Sequence, residues 1–121
     1  GLQDLGTLLR TPSSRLRSLD IGFNKILSGA IGTLASALHG HRTLQLLHLN
    51  RNPFGDEGWA TLGPAVGAMP ALRELGIACT QLHNPHSLVH ILRTHAALTA
   101  VDLQYNDLSL GFAQDLAALE R

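Results

Sequence analysis

The chain repeats one pattern of apolar residues four times. Each copy has a Leu, two variable residues, an aliphatic residue, one variable residue, a second aliphatic residue and, three places later, a small polar residue. The copies begin at Leu16, Leu44, Leu72 and Leu98, so the pattern recurs after 28, 28 and 26 residues. A period of this length predicts an array in which each repeat buries its apolar side against its neighbours.

The first half of each repeat has the pattern of a short strand with one buried face. Two aliphatic residues occupy alternate positions, which places both on the same side of a strand. These inward residues are Leu19, Ile21, Leu47, Leu49, Leu75, Ile77, Val101 and Leu103. The polar residues that follow are Asn24, Asn52, Thr80 and Asn106, and we expect them to bond turn backbone that would otherwise be buried without a partner. A threonine satisfies fewer groups than an asparagine, which predicts a looser turn in the third repeat.

The second half of each repeat has helical spacing. Aliphatic residues four positions apart share one face of a helix, as in the pairs Leu34 and Leu38, Leu62 and Val66, and Leu88 and Leu92. Asn84 followed by Pro85 predicts the start of the third helix, because Asn caps helices and Pro suits their first position. Pro64 lies inside the second helical pattern and predicts a helix that is short, kinked or restarted there.

The stretch from Asn52 to Leu62, with Gly55-Asp56-Glu57-Gly58 at its centre, resembles the ribonuclease-inhibitor-like subfamily of leucine-rich repeat proteins. The resemblance implies an α/β fold, a right-handed solenoid with a parallel sheet on its concave face and helices on its convex face. We expect the array to occupy residues 1–121, with Leu2 to Leu9 as the helix of an earlier repeat. Apolar residues at both ends indicate a segment of a longer protein.

Composition excludes several classes of function. Nine basic and nine acidic residues balance without a basic stripe, so we expect no nucleic-acid partner. The most apolar stretch, Ile26 to Leu38, has about half the length that a membrane span needs, which predicts no membrane insertion. The single cysteine, Cys79, rules out an internal disulfide framework and favours a reducing, cytoplasmic location.

The histidines and the cysteine are the candidates for chemistry. His83, His86 and His90 could hold a metal, but no Cys or Asp completes the set, so we interpret them as solvated or inter-repeat residues. His41 and His95 are interpreted as loop residues that help to turn the chain. Cys79 is interpreted as a structural thiol, with a reactive thiol as the alternative.

Catalysis is not expected from this sequence. His48 and Asp20 occupy matching positions on neighbouring strands, where a contact between them is plausible, and Ser18 is nearby. A hydrolase triad also needs a strained nucleophile turn and an oxyanion hole, and no motif for either accompanies these residues. We therefore predict no enzyme, no catalytic or metal site and no cofactor.

Function is predicted to belong to the side chains that the core does not use. Trp59 begins the second helix and is assigned to packing between repeats. Arg51, Phe23 and Tyr105 are exposed by position, and aromatic and Arg residues carry much of the energy of protein interfaces. The predicted partner-binding residues of the concave face are Asp20, Phe23, Leu46, His48, Arg51, Glu74, Asp102 and Tyr105.

The favoured function is a scaffold that binds a protein partner. Members of the resembled subfamily include ribonuclease inhibitors, the sensor regions of nucleotide-binding innate-immune receptors, Ran GTPase-activating proteins and cytoskeletal scaffolds. A ligand-sensing or autoinhibitory region of such a receptor is the main alternative, and a GTPase-activating protein is the next. A phosphate-binding loop upstream would indicate the receptor.

Overall fold

Strands and helices alternate along the chain in the computed structural model, which describes residues 15–118. The strands are β1 (Ser18–Asp20), β2 (Leu46–His48), β3 (Glu74–Gly76) and β4 (Ala100–Asp102). The helices are α1 (Ser28–Leu38), α2 (Gly55–Gly67), α3 (Leu88–Thr94) and α4 (Leu110–Ala117). The helix expected from Leu2 to Leu9 lies outside the described residues.

The four strands form one parallel sheet in the order β1-β2-β3-β4. The register advances by one repeat from strand to strand, so that Leu19 lies beside Leu47, Leu47 beside Leu75, and Leu75 beside Val101. Equivalent positions of the repeats therefore form columns across the sheet. This arrangement confirms the predicted α/β fold with its parallel sheet.

The core lies between one face of the sheet and the helices. The inward residues Leu47, Leu49, Leu75 and Ile77 of the middle repeats are fully buried. The helical residues packed against them include Ile31, Leu34, Leu38, Leu62, Val66 and Leu88. Each such side chain contributes about 1.5–3 kcal/mol relative to exposure.

The inward amides of Asn52 and Asn106 each bond the turn of the preceding repeat. Asn52 is fully buried; its Oδ1 accepts from the backbone N–H groups of Asn24 and Ile26, and its Nδ2 donates to the carbonyls of Ile21 and Leu49. Asn106 of the fourth repeat makes the four equivalent bonds, three of them to the third repeat. The predicted role of these residues is confirmed.

Thr80 is the exception in this column. Its hydroxyl donates to the carbonyl of Ile77 within its own repeat. Asn52 bonds the turn of the first repeat, so the equivalent position 80 faces the turn of the second repeat. There the N–H of Phe54 donates to the backbone carbonyl of Asn52 and not to a side chain at position 80. The substitution therefore alters the turn of the second repeat, whereas the expectation placed its effect in the third.

The start predicted for α3 was wrong, and the shortening or restart predicted at Pro64 does not occur. Helix α2 continues through Pro64 over 13 residues, without the expected shortening or restart. Pro64 and Ala60 are both exposed, so the carbonyl that loses its intrahelical donor can bond water. Helix α3 begins at Leu88 and not at Pro85, because the N–H of Leu88 donates to the carbonyl of Pro85 and residues 86–87 form a turn before the helix.

Trp59 packs between repeats, as predicted. Its side chain is buried, and its indole N–H donates to Ser87 Oγ at 2.9 Å. Ser87 directly precedes α3, so this bond joins the second helix to the beginning of the third. Its burial excludes Trp59 from the exposed surface.

Candidate partner-binding surface

In each repeat, the third residue after the strand has a left-handed backbone. These residues, which we call the loop row, are Phe23 (φ 62°), Arg51 (φ 63°), Cys79 (φ 55°) and Tyr105 (φ 61°). A residue with a Cβ atom loses about 1–2 kcal/mol in this region, where glycine fits without strain. The repeats thus place four strained residues at equivalent points along one edge of the sheet.

Backbone hydrogen bonds hold the loop row in place. The N–H groups of Phe23, Arg51 and Cys79 donate to carbonyls of the following repeat, each at 2.9 Å. Their acceptors are Asn50, Ala78 and Gln104. The side chains of the row remain outside the core, and Phe23 is 70% and Tyr105 82% exposed. Hydrogen bonds therefore hold the backbone of the row, and its aromatic side chains extend into solvent.

A shallow groove of about 550 Å³ runs along the loop row, lined by Phe23, Arg51, Pro53, Cys79, Gln81 and Tyr105. The Arg51 guanidinium carbon lies 6.0 Å from the centre of the Phe23 ring. At this distance the cation is attracted by the face of the ring. Within residues 15–118, the Arg51 guanidinium has no ion pair. The groove thus combines the guanidinium of Arg51 with a largely apolar lining.

The outward residues of the strands form a second surface beside the loop row. We call it the strand face; it consists of Ser18, Asp20, Leu46, His48, Glu74, Gly76, Ala100 and Asp102. Oδ1 of Asp20 accepts from the N–H of Gly22, and Oδ1 of Asp102 accepts from the N–H of Gln104. These bonds fix two of the three carboxylates of the face. The strand face is therefore acidic, whereas the neighbouring groove has the cation of Arg51.

His48 pairs with Glu74, and the expected contact with Asp20 was wrong. Its Nε2 lies 2.6 Å from Glu74 Oε2 on the neighbouring strand. The ring can lean this way because Gly76 lies beside it in the register, and a Cβ on Gly76 would come within 2.8 Å of His48 Cδ2. Ser18 lies beside Leu46 and not beside His48, so the register does not assemble a hydrolase triad from these residues.

Comparisons with known proteins agree with this geometry. Residues 40–63 match the family described as Leucine Rich repeat. The structure is similar to that of leiomodin-1 actin-binding site 2, with a TM-score of 0.82 and 12% sequence identity over 96% of this chain and 70% of that chain. The chain has a leucine-rich-repeat fold.

A second solved structure is similar with a lower TM-score. The tropomodulin C-terminal domain of Caenorhabditis elegans gives a TM-score of 0.62 and 13% identity, over 97% of this chain and 89% of that chain. No curated protein matches the sequence. At these identities the likeness shows the fold alone, so the site rests on the side chains of this chain.

The leucine-rich repeats use two histidines to turn the chain, as predicted. Nδ1 of His41 accepts from the N–H of Leu44, and Nδ1 of His95 accepts from the N–H of Leu98. Nε2 of His95 also lies 2.8 Å from the carbonyl oxygen of Met69 in the preceding repeat. Burial lowers the pKa of His41, because the charged imidazolium is poorly solvated there.

The other histidines do not form a metal centre in the described repeats. No group of three or more His, Cys, Asp or Glu side chains suited to a metal lies within residues 15–118. His83 is held by its own contacts, with Nδ1 2.6 Å from the carbonyl oxygen of Asp107 and its backbone N–H bonded to Asp56. His86 and His90 are exposed.

Sequence reasoning missed two residues of the groove. Pro53 and Gln81 follow the loop row by two positions, and both line its wall. Their equivalent place in the repeats was the available signal.

None of the helices α1–α4 has the length and apolar composition that would let it cross a membrane.

Proposed function

We propose that this chain is a non-catalytic scaffold that binds a protein partner through the loop row and the strand face. The proposed contact residues are Asp20, Phe23, Leu46, His48, Arg51, Glu74, Asp102 and Tyr105. The proposal includes the finer features that the repeats suggest, namely a ribonuclease-inhibitor-like solenoid, a concave strand face and a cytoplasmic location.

The exposure of Phe23 and Tyr105 beside Arg51 carries this proposal. Phe23 and Tyr105 are among the large hydrophobic residues that remain most exposed in the described chain. Neither supports the core, and both have backbone conformations that cost free energy. Aromatic and Arg residues dominate the energetics of protein interfaces, which supports a role in binding.

Charge supports the use of both surfaces by one partner. The strand face has the carboxylates of Asp20, Glu74 and Asp102, whereas the groove beside it has the guanidinium of Arg51. A partner with basic groups over the strands and acidic groups over the groove would match both. Such matching favours one orientation over others and speeds association.

The test combines a double substitution with a measurement of folding. Arg51→Ala with Tyr105→Ala should weaken partner binding by at least about 2 kcal/mol, the loss typical of interface hot spots, while leaving the thermal melt unchanged. Purified actin is the first probe, because one similar structure is named as an actin-binding site. Affinity purification with wild-type and variant full-length protein extends the test to other partners.

The matched control lies on the helix side of the repeats. Glu57 and Thr61 are exposed on α2 and do not line the groove, and their replacement by Ala should leave binding intact. If the loop-row variant binds normally and the α2 variant does not, the partner binds the helices. That result would refute the proposed site.

A further inference from the structure

We infer that the groove along the loop row accepts an extended peptide segment with a carboxylate for Arg51 and an apolar side chain on either side of it. The inference rests on the proposed function, since it specifies the chemistry of the partner at the same surface. Its basis is the charge, the lining and the spacing of the row.

The charge of the groove selects an anionic group. Arg51 is the single charged residue among the six that line it. The guanidinium lies over the face of Phe23, which leaves its N–H edges available. A planar guanidinium held in this way suits the two oxygens of a carboxylate, because two parallel hydrogen bonds can form at once.

The spacing of the row sets the length of the segment. Neighbouring parallel strands lie about 4.8 Å apart, so the three intervals from Phe23 to Tyr105 span about 15 Å. An extended chain rises about 3.3 Å per residue, so about five residues cover the row. Arg51 is one interval from Phe23 and two from Tyr105. The acidic residue should therefore lie one or two positions from one apolar residue and about three from the other.

The same features disfavour other occupants. A nucleic-acid backbone needs several cations along its path, whereas the groove has one. A second copy of this chain would have to offer an acidic segment with apolar flanks. One candidate segment of this chain, Phe54 to Trp59, has both aromatic side chains buried and so cannot supply it.

Peptide selection tests the inference while the natural partner is still unidentified. Random seven-residue peptides displayed on phage are selected on the full chain and, in parallel, on the Arg51→Gln variant. The expected result is enrichment on the wild-type chain alone of peptides with Asp or Glu and an apolar residue about three positions away. In a synthetic version, changing the acid to its amide should weaken binding at least about tenfold, as expected for loss of a charge-assisted pair.

Two controls make the result decisive. Arg42→Gln removes an exposed cation in the loop before β2 and should leave peptide binding unchanged. The fluorescence of Trp59 and a thermal melt check that each variant folds as the wild type does. Selected peptides without an acid, or the same enrichment on the Arg51→Gln chain, would overturn the inference, as would no enrichment at all.

The result that would contradict the proposed function differs from the result that would contradict the groove inference. If the selected peptides depend on Glu74 and not on Arg51, the groove inference is wrong and the strand face remains the binding surface. If the full-length protein binds its partner equally well after both surfaces are altered, the proposed function itself is wrong.

Discussion

Nε2 of His48 on β2 lies 2.6 Å from Oε2 of Glu74 on β3, a diagonal contact across the strand face. The two residues do not share a register position, because Leu46 lies beside Glu74 and Gly76 lies beside His48. The ring and the amide of Asn50 occupy the space that a side chain at position 76 would fill. The pair therefore depends on a glycine in the neighbouring strand.

Gly76→Ala should destabilise the fold and release His48 from Glu74. The new Cβ would lie 2.8 Å from His48 Cδ2 and 2.9 Å from Asn50 Oδ1, and Asn50 Oδ1 already accepts from the N–H of Ala78. Overpacking of this kind costs about 1–3 kcal/mol. Urea unfolding measures the loss, and the histidine resonances in NMR spectra report the change at His48.

A double-mutant cycle assigns the cause of that loss. In a His48→Ala background, Gly76→Ala should cost less, because one of the two clashing groups is gone. Gly111→Ala is the control; nothing lies within 4 Å of the point that a Cβ would occupy there, and alanine in a helix is favoured by about 0.5–1 kcal/mol. Equal costs for Gly76→Ala in both backgrounds would show that His48 does not occupy that space.

Asn52→Ala should be far more destabilising than Thr80→Val, although both residues are fully buried. The asparagine amide makes four bonds to turn backbone, whereas the threonine hydroxyl donates one to Ile77. Each buried group left without a partner costs about 1–3 kcal/mol, so we expect roughly 3–6 kcal/mol for Asn52 and about 1–3 for Thr80. Comparable losses in denaturant unfolding would contradict this account of the turns.

Acid should weaken the fold through His41. Burial lowers the pKa of His41 below its ordinary value of about 6.5, so the unfolded chain takes up its proton first as the pH falls. The free energy of unfolding should therefore be fully retained above about pH 6.5 and decline below it. His41→Asn should reduce this decline, because Asn can accept from Leu44 without titrating. His39→Asn, at an exposed position, is the control and should leave the decline as it is.

Replacing a residue of the loop row by glycine should separate stability from binding. Tyr105→Gly relieves a left-handed backbone (φ 61°) but adds freedom to the unfolded chain, for a net effect of about 0–1 kcal/mol in favour of folding. Partner affinity should fall as it does for Tyr105→Ala. A glycine variant clearly less stable than the alanine variant would show that the backbone is not strained there.

The repeat pattern predicted the columns of the sheet but not the contacts between them. Alternating aliphatic residues specify which side chains point inward, so Leu19, Leu47 and Leu75 were placed correctly beside one another. His48 contacts Glu74 and not Asp20 because of the rotamer of its side chain and the missing Cβ of Gly76. The periodicity of the sequence predicts neither of these.

Local signals also failed to give the start of α3 and the backbone conformation of the loop row. Asn84 and Pro85 have the residue types of a helix start, yet Asp56 of the preceding repeat binds the N–H of Asn84 and the helix begins later. The left-handed backbone of the loop row also escaped prediction. Phe, Arg, Cys and Tyr do not favour that conformation, and the bonds to the next repeat help to hold it.

Cys79 provides a direct test of the proposed binding surface. It is exposed, it lines the groove between Arg51 and Tyr105, and it is the single cysteine of the chain. The measurement is the rate at which a thiol-reactive reagent alkylates Cys79 with and without the bound partner or a selected peptide. At a ligand concentration ten times its Kd, occupancy of the groove should slow the reaction about tenfold by mass action. An unchanged rate at that concentration, with binding verified in the same sample, would contradict the assignment of the loop row as the binding surface.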